Sequence, residues 1–111
     1  MKITRIQDAE PYKTGGHFDM VALRLQGKPA TDCKFASIGL SHFLPGGGAE
    51  ESASNIEKIY VVLSGQMTLI TAGGKTILGP LDSCLLAAGE KRSLLNETNS
   101  PVSMLVIVPA H

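Results

Sequence analysis

The sequence predicts an all-β sandwich or barrel, and three observations carry that expectation. Its apolar residues fall in short runs, alternating or nearly continuous, each closed by Gly, Pro, Asn or Ser, which is the punctuation of strands rather than helices. No segment keeps a helical period long enough for a substantial helix. The runs are many and evenly spaced, a pattern that suits two packed sheets or a closed one.

Each element follows from its local residues. Strands are expected at 20–25 and 35–44, separated by a polar loop over 27–34. Strands 59–63 and 67–71 are joined by Ser64, Gly65 and Gln66, and the next, 75–78, follows Ala72, Gly73 and Gly74; both breaks are tight hairpin turns in which glycine supplies the backbone freedom. Gly79, Pro80, Leu81 and Asp82 turn the chain before strand 83–87, and strands 92–96 and 102–108 complete the set. The stretch 9–16, rich in Pro, Gly and charge, is expected to pack outside the barrel or against a partner chain.

Size and charge bound the possibilities. The 111 residues, 43% of them hydrophobic, suit one core, so a single domain over 1–111 is expected, with 1–34 as extra strands or an arm. The formal net charge is zero, which argues against nucleic acid or an anionic membrane as partner. No apolar stretch approaches the ~20 residues of a membrane helix. Cys33 and Cys84 form one widely separated pair, and Lys2 and Arg5 stand where a secretory peptide needs an apolar run; a reducing cytoplasm is therefore expected.

Two spaced sets of residues sharpen the fold. From Gly46, five residues lead to Ser52, then Ser54, Lys58 and finally Gly65; farther on, Gly89 stands three positions before Arg92, and Asn96 four after it. This resembles the two motifs of the cupin superfamily, in which the positions of Ser52, Ser54, Lys58 and Arg92 carry His, His, Glu and His as metal ligands. Gly46, Gly65, Gly89 and Asn96 match the pattern, while Leu81 and Ala87 replace a Gly and a Pro. The resemblance covers about 35–108. It implies a jelly-roll barrel and, because cupins are commonly dimers, a homodimer.

The substitutions decide the expected chemistry. A divalent metal needs lone-pair donors converging at about 2.0–2.6 Å; serine hydroxyls are poor ligands, and Lys58 and Arg92 are cations with donors only. No metal and no other cofactor are expected. The cavity should prefer a small organic anion, bound by Arg92 and Lys58 with Ser52, Ser54 and Asn96 beside them. Strand alternation turns Tyr60 and Val62 the same way as Lys58, and Leu94 and Asn96 the same way as Arg92. It also groups His42 with Ala36, Ile38, Leu40 and Leu44, so that His42 is either a satisfied core histidine or a cavity group.

Each of these residues also has a plainer reading. Lys58 can be paired with Glu50, Glu51 or Glu57, Arg92 can reach solvent over a buried stem, and Tyr60, Ser52 and Ser54 can simply pack. The serines lack a local signature of a base and its orienting partner. His17 and His111 show no ligand spacing with His42, and the Gly46–Gly48 run lacks the strand-to-helix context of a phosphate cradle.

Three functions are compatible with this pattern. One is a metal-independent enzyme working by proton transfer on a small anion, with Lys58, His42 and Tyr60 as its catalytic candidates; in a variant of it, a desolvated Lys58 forms a Schiff base with a carbonyl. The others are a non-catalytic binding module and a structural dimer whose barrel is filled by side chains.

Overall fold

The computed structural model describes residues 1–110 and is built almost wholly from strands. After a single 3-10 turn at Ile6–Asp8 come β1 (Glu10–Tyr12), β2 (His17–Gln26), β3 (Ala36–Ser52), β4 (Lys58–Ser64), β5 (Met67–Thr71), β6 (Gly74–Leu78), β7 (Ser83–Leu86), β8 (Arg92–Leu95) and β9 (Val102–Pro109). They hydrogen-bond in the order β6-β5-β8-β3-β9-β4-β7, with β2 also on β3 and β1 on β2. All pairings are antiparallel. This is an all-β jelly-roll barrel.

The 17-residue β3 explains how one path of strands closes. Its first part pairs with β9 from Ala36 to Phe43, and its last part pairs with β8 from Gly48 to Ser52. Between them the chain turns a corner at Gly46, whose φ of +82° belongs to the left-handed region that glycine occupies without a Cβ penalty. The strand continues past its expected end at Leu44, with Pro45 and the glycines forming a bend within it.

The core lies between the two halves. Phe43, Tyr60, Val62, Met67, Leu69, Leu78, Leu86, Leu94, Val102 and Met104 form one buried cluster. Alternation along β4 sends Tyr60 and Val62 into it and leaves Ile59 and Leu63 more than a third exposed. The N-terminal segment does more than pack outside. Tyr12 on β1 reaches across to Gly39 on β3, where an added Cβ would collide with the Tyr12 hydroxyl; a strand glycine of this kind marks a close approach by another group.

Candidate anion-binding cavity

Arg92 opens β8 directly opposite Ser52 of β3, and that pairing aims a guanidinium into the barrel. The residue is only 5% exposed. Its Nε donates to the Tyr60 hydroxyl at 2.7 Å, and its Nη1 donates to Ser52 Oγ at 2.9 Å and to the Glu50 carbonyl at 3.2 Å. Nη2 has no hydrogen-bond partner among the described residues. Tyr60, having accepted from Arg92, keeps its own proton to donate, and no acceptor for it stands among the described residues.

These groups border a cavity of about 150 Å³, lined also by Lys58, His17, Arg24, Tyr12, Thr14 and Ser41, with Phe43, Leu94, Met104, Val106 and Val108 as its apolar walls. That is below the ~300–1,000 Å³ of a drug-sized pocket, and fits a metabolite of few heavy atoms. The barrel is therefore not filled by its own side chains. A groove between β1 and β2 shares Tyr12, Thr14 and His17 with the cavity and gives the cavity a rim on that side.

Among the described residues the lining contains cations and hydroxyls but no carboxylate. Lys58 makes no ion pair among the described residues, so Glu50, Glu51 and Glu57 do not neutralise it. Burial, and then the nearby Arg92 charge, hold the Lys58 ammonium below its usual pKa. Burial pushes the Tyr60 phenol up, against the opposing pull of Arg92. His17 is pulled down by burial, with Arg92 and Lys58 adding to the effect and its bond to the Gly15 carbonyl opposing it. That bond, Nδ1 to Gly15 O at 3.0 Å, puts the proton of the neutral ring on Nδ1, because a carbonyl only accepts.

The four positions that carry metal ligands in the resembling motifs do converge. Ser52, Ser54, Lys58 and Arg92 share a crevice of about 10 Å³ with Leu86 and Glu90, space for about one water. Their donor set does not fit a divalent metal: Lys58 and Arg92 present only N–H donors, and Arg92 already occupies Ser52 Oγ. The nearby Glu90 carboxylate accepts from the Ala87 amide at 3.0 Å. Among the described residues no three His, Cys, Asp or Glu side chains are grouped to hold an ion.

Two sequence candidates fall elsewhere. His42 lies on the opposite face of β3, because Ser41 and Phe43 are the residues that line the cavity; its Nδ1 sits 2.8 Å from Ser103 Oγ. Of its two expected roles, this placement fits a hydrogen-bonded histidine lying off the cavity rather than a cavity group. Asn96 is fully buried, but its amide is spent on the chain: Nδ2 donates to the carbonyls of Phe43, Leu44 and Ser100, and Oδ1 accepts from the Thr98 amide and hydroxyl. It pins the β8–β9 connection to the corner of β3 and does not line the cavity. Ser54 lies in the crevice, its hydroxyl accepting from the Ile56 amide at 3.2 Å. His111 lies outside the described residues.

Arg24, Tyr12, Thr14 and His17 were missed as cavity residues. For Arg24 the signal was present, since it follows Met20 and Ala22 at the two-residue period of one strand face, and Ala22 is 2% exposed. Tyr12 gave no such signal, because β1 has three residues and shows no alternation.

Residues 39–108 match the cupin domain family, and the chain belongs to that family. It is 41% identical over 108 residues to a Mycobacterium tuberculosis protein named β-D-galactosidase, covering 97% of this chain and 93% of that one. Its structure is similar to that of the polyketide cyclase RemF from Streptomyces resistomycificus, with a TM-score of 0.88 at 19% identity over 100% of this chain and 80% of that one. It is also similar to a predicted oxalate decarboxylase from Thermotoga maritima, with a TM-score of 0.81 at 19% identity over the whole of both chains. A sugar phosphate isomerase from Silicibacter pomeroyi gives 0.80 at 18% identity over 96% and 74%. At such identities the structural likenesses speak for the fold alone.

Proposed function

We propose that this protein is a metal-independent cupin that binds a small organic anion in its barrel and catalyses proton transfer on it. The observation that carries this reading is Arg92, buried at the cavity wall with its guanidinium fixed by Tyr60 and Ser52, beside Lys58 and with no carboxylate in the lining among the described residues. A fixed cation in a cavity with apolar walls stabilises a developing enolate more than it does the neutral ground state. Lys58, whose proton is loosened by burial, is the base that takes a proton from the carbon next to a carbonyl. The electron pair moves to the carbonyl oxygen, where Arg92 and the Tyr60 hydroxyl donate hydrogen bonds, and Lys58 returns the proton. Deuterium uptake by small keto acids in heavy water, followed by NMR, tests the reading. Uptake that stops in Lys58→Met, with the fold intact, supports it; binding without uptake leaves a non-catalytic binding module.

A second reading is hydrolysis of a β-D-galactoside, favoured by the 41% identity to the M. tuberculosis protein over nearly the whole chain. The cavity's charge argues against it. Most glycosidases use two carboxylates flanking a cation-like transition state, and here the lining offers cations instead. Release of nitrophenol from nitrophenyl β-D-galactoside separates the two readings directly.

The proposal extends to a homodimer and a cytoplasmic location. On the outer sheet face, Ile38, Ile107, Ile59 and Leu85 stand in one cross-strand row, and Leu23, Leu40, Leu105 and Val61 in the next. A charge-free face meets its own copy across a twofold axis without like-charge repulsion. Light scattering of the wild type against Ile59→Glu tests this. The two free thiols, Cys33 and Cys84, support a reducing compartment; no helix is long and apolar enough to cross a membrane.

A further inference from the structure

We infer that the ligand of this cavity carries two acidic groups, the first held by Arg92 and the second by Arg24; this rests on the anion reading above. Arg24, Gly39, Val106 and Tyr60 are directly opposed in succession across β2, β3, β9 and β4, so their side-chain positions share the inner face. Three strand steps of about 4.8 Å set Arg24 roughly 14 Å from Tyr60 along the sheet. Arg24 thus stands at the other end of the cavity from the Arg92–Tyr60 pair.

Among the described residues no carboxylate pairs with it, Glu10 opposite it on β1 included. The Arg24 guanidinium carbon lies 4.1 Å from the centre of the Tyr12 ring, a cation–π contact that positions the group without supplying a counter-charge. Arg24 forms no ion pair among the described residues. Its Nε is fully buried with no hydrogen-bond partner, whereas buried donors are ordinarily satisfied. Gly39 completes the arrangement, since its missing side chain admits the hydroxyl of Tyr12, over whose ring Arg24 is stacked. A single acidic group at Arg92 leaves this second guanidinium uncompensated. A carboxylate at each end matches both, because a carboxylate accepts in the plane of the guanidinium fork.

Calorimetric titration of the purified protein with butanoate, glutarate and adipate near neutral pH tests this. The wild type should bind one of the two diacids at least about tenfold more tightly than butanoate. Arg24→Met, which keeps the stem against Tyr12, should collapse that ratio by weakening the diacid. Equal binding of butanoate and both diacids by the wild type overturns this inference and spares the anion reading. A diacid preference that survives in Arg24→Met overturns the role of Arg24. No binding of any of the three acids overturns this inference and the anion reading together.

Discussion

The Tyr60 hydroxyl accepts a 2.7 Å hydrogen bond from Arg92 Nε, and this bond fixes the direction of the charge on which the cavity depends. Both residues are at most 5% exposed, so the bond forms out of bulk solvent. Tyr60→Phe therefore leaves a buried guanidinium N–H without its acceptor, at a cost of about 1–3 kcal/mol. Urea denaturation should show a lower midpoint with an unchanged slope. An unchanged midpoint would mean that the bond does not form in solution.

Asn96 separates stability from binding. It serves three carbonyls and two donors of Thr98 while lying off the cavity. Asn96→Ala should cost about 2–4 kcal/mol through the unsatisfied groups it leaves. Anion affinity of the folded fraction should stay at the wild-type level, measured at a temperature well below melting.

Gly39 is a steric requirement. Adding a Cβ pushes on the Tyr12 hydroxyl, and Tyr12 in turn carries Arg24. Gly39→Ala should destabilise by about 1–3 kcal/mol, the usual cost of overpacking. A Gly39→Ala, Tyr12→Leu double variant, which removes the hydroxyl, should lose less than the sum of the two single changes.

The pH dependence should report His17. Its pKa in the folded protein is held below 6.5, chiefly by burial. Between that lower value and 6.5 the unfolded chain binds a proton that the folded chain refuses, so stability is fully present above 6.5 and falls as pH drops through the folded pKa. The urea midpoint should decline from about pH 6.5 downward, and more gently in His17→Gln. A bound anion offsets the Arg92 and Lys58 charges and should raise the His17 pKa, so anion affinity should increase over the same window. Identical profiles for wild type and variant would contradict this.

How much of this was legible from sequence differs by residue. The pairing of Lys58 with Tyr60, and of Arg92 with Leu94, on inner faces followed from strand alternation, because these strands are short and regular. His42 did not follow: alternation grouped it correctly with Ile38 and Leu40, but that face points outward, and a hydrophobic run does not say which side of a sheet is the inside when the outer face is also apolar. Asn96 sits at the β8 terminus, where alternation gives way to a loop. Arg24 was readable at its two-residue spacing from Ala22, whereas Tyr12 and Gly39 form a contact between distant parts of the chain that no local pattern encodes.

The most direct test of the central claim is a thermal-shift measurement of metal-free protein with small mono- and dicarboxylates, alongside Arg92→Met and Lys58→Met. A ligand at about 100 times its dissociation constant adds roughly 2.7 kcal/mol, several degrees in melting temperature for a domain of this size. The account predicts such a rise with an acid in the wild type and its loss in both variants. No rise with any acid, together with a rise on adding a divalent metal ion, would contradict the reading of Ser52, Ser54, Lys58 and Arg92 as an anion site.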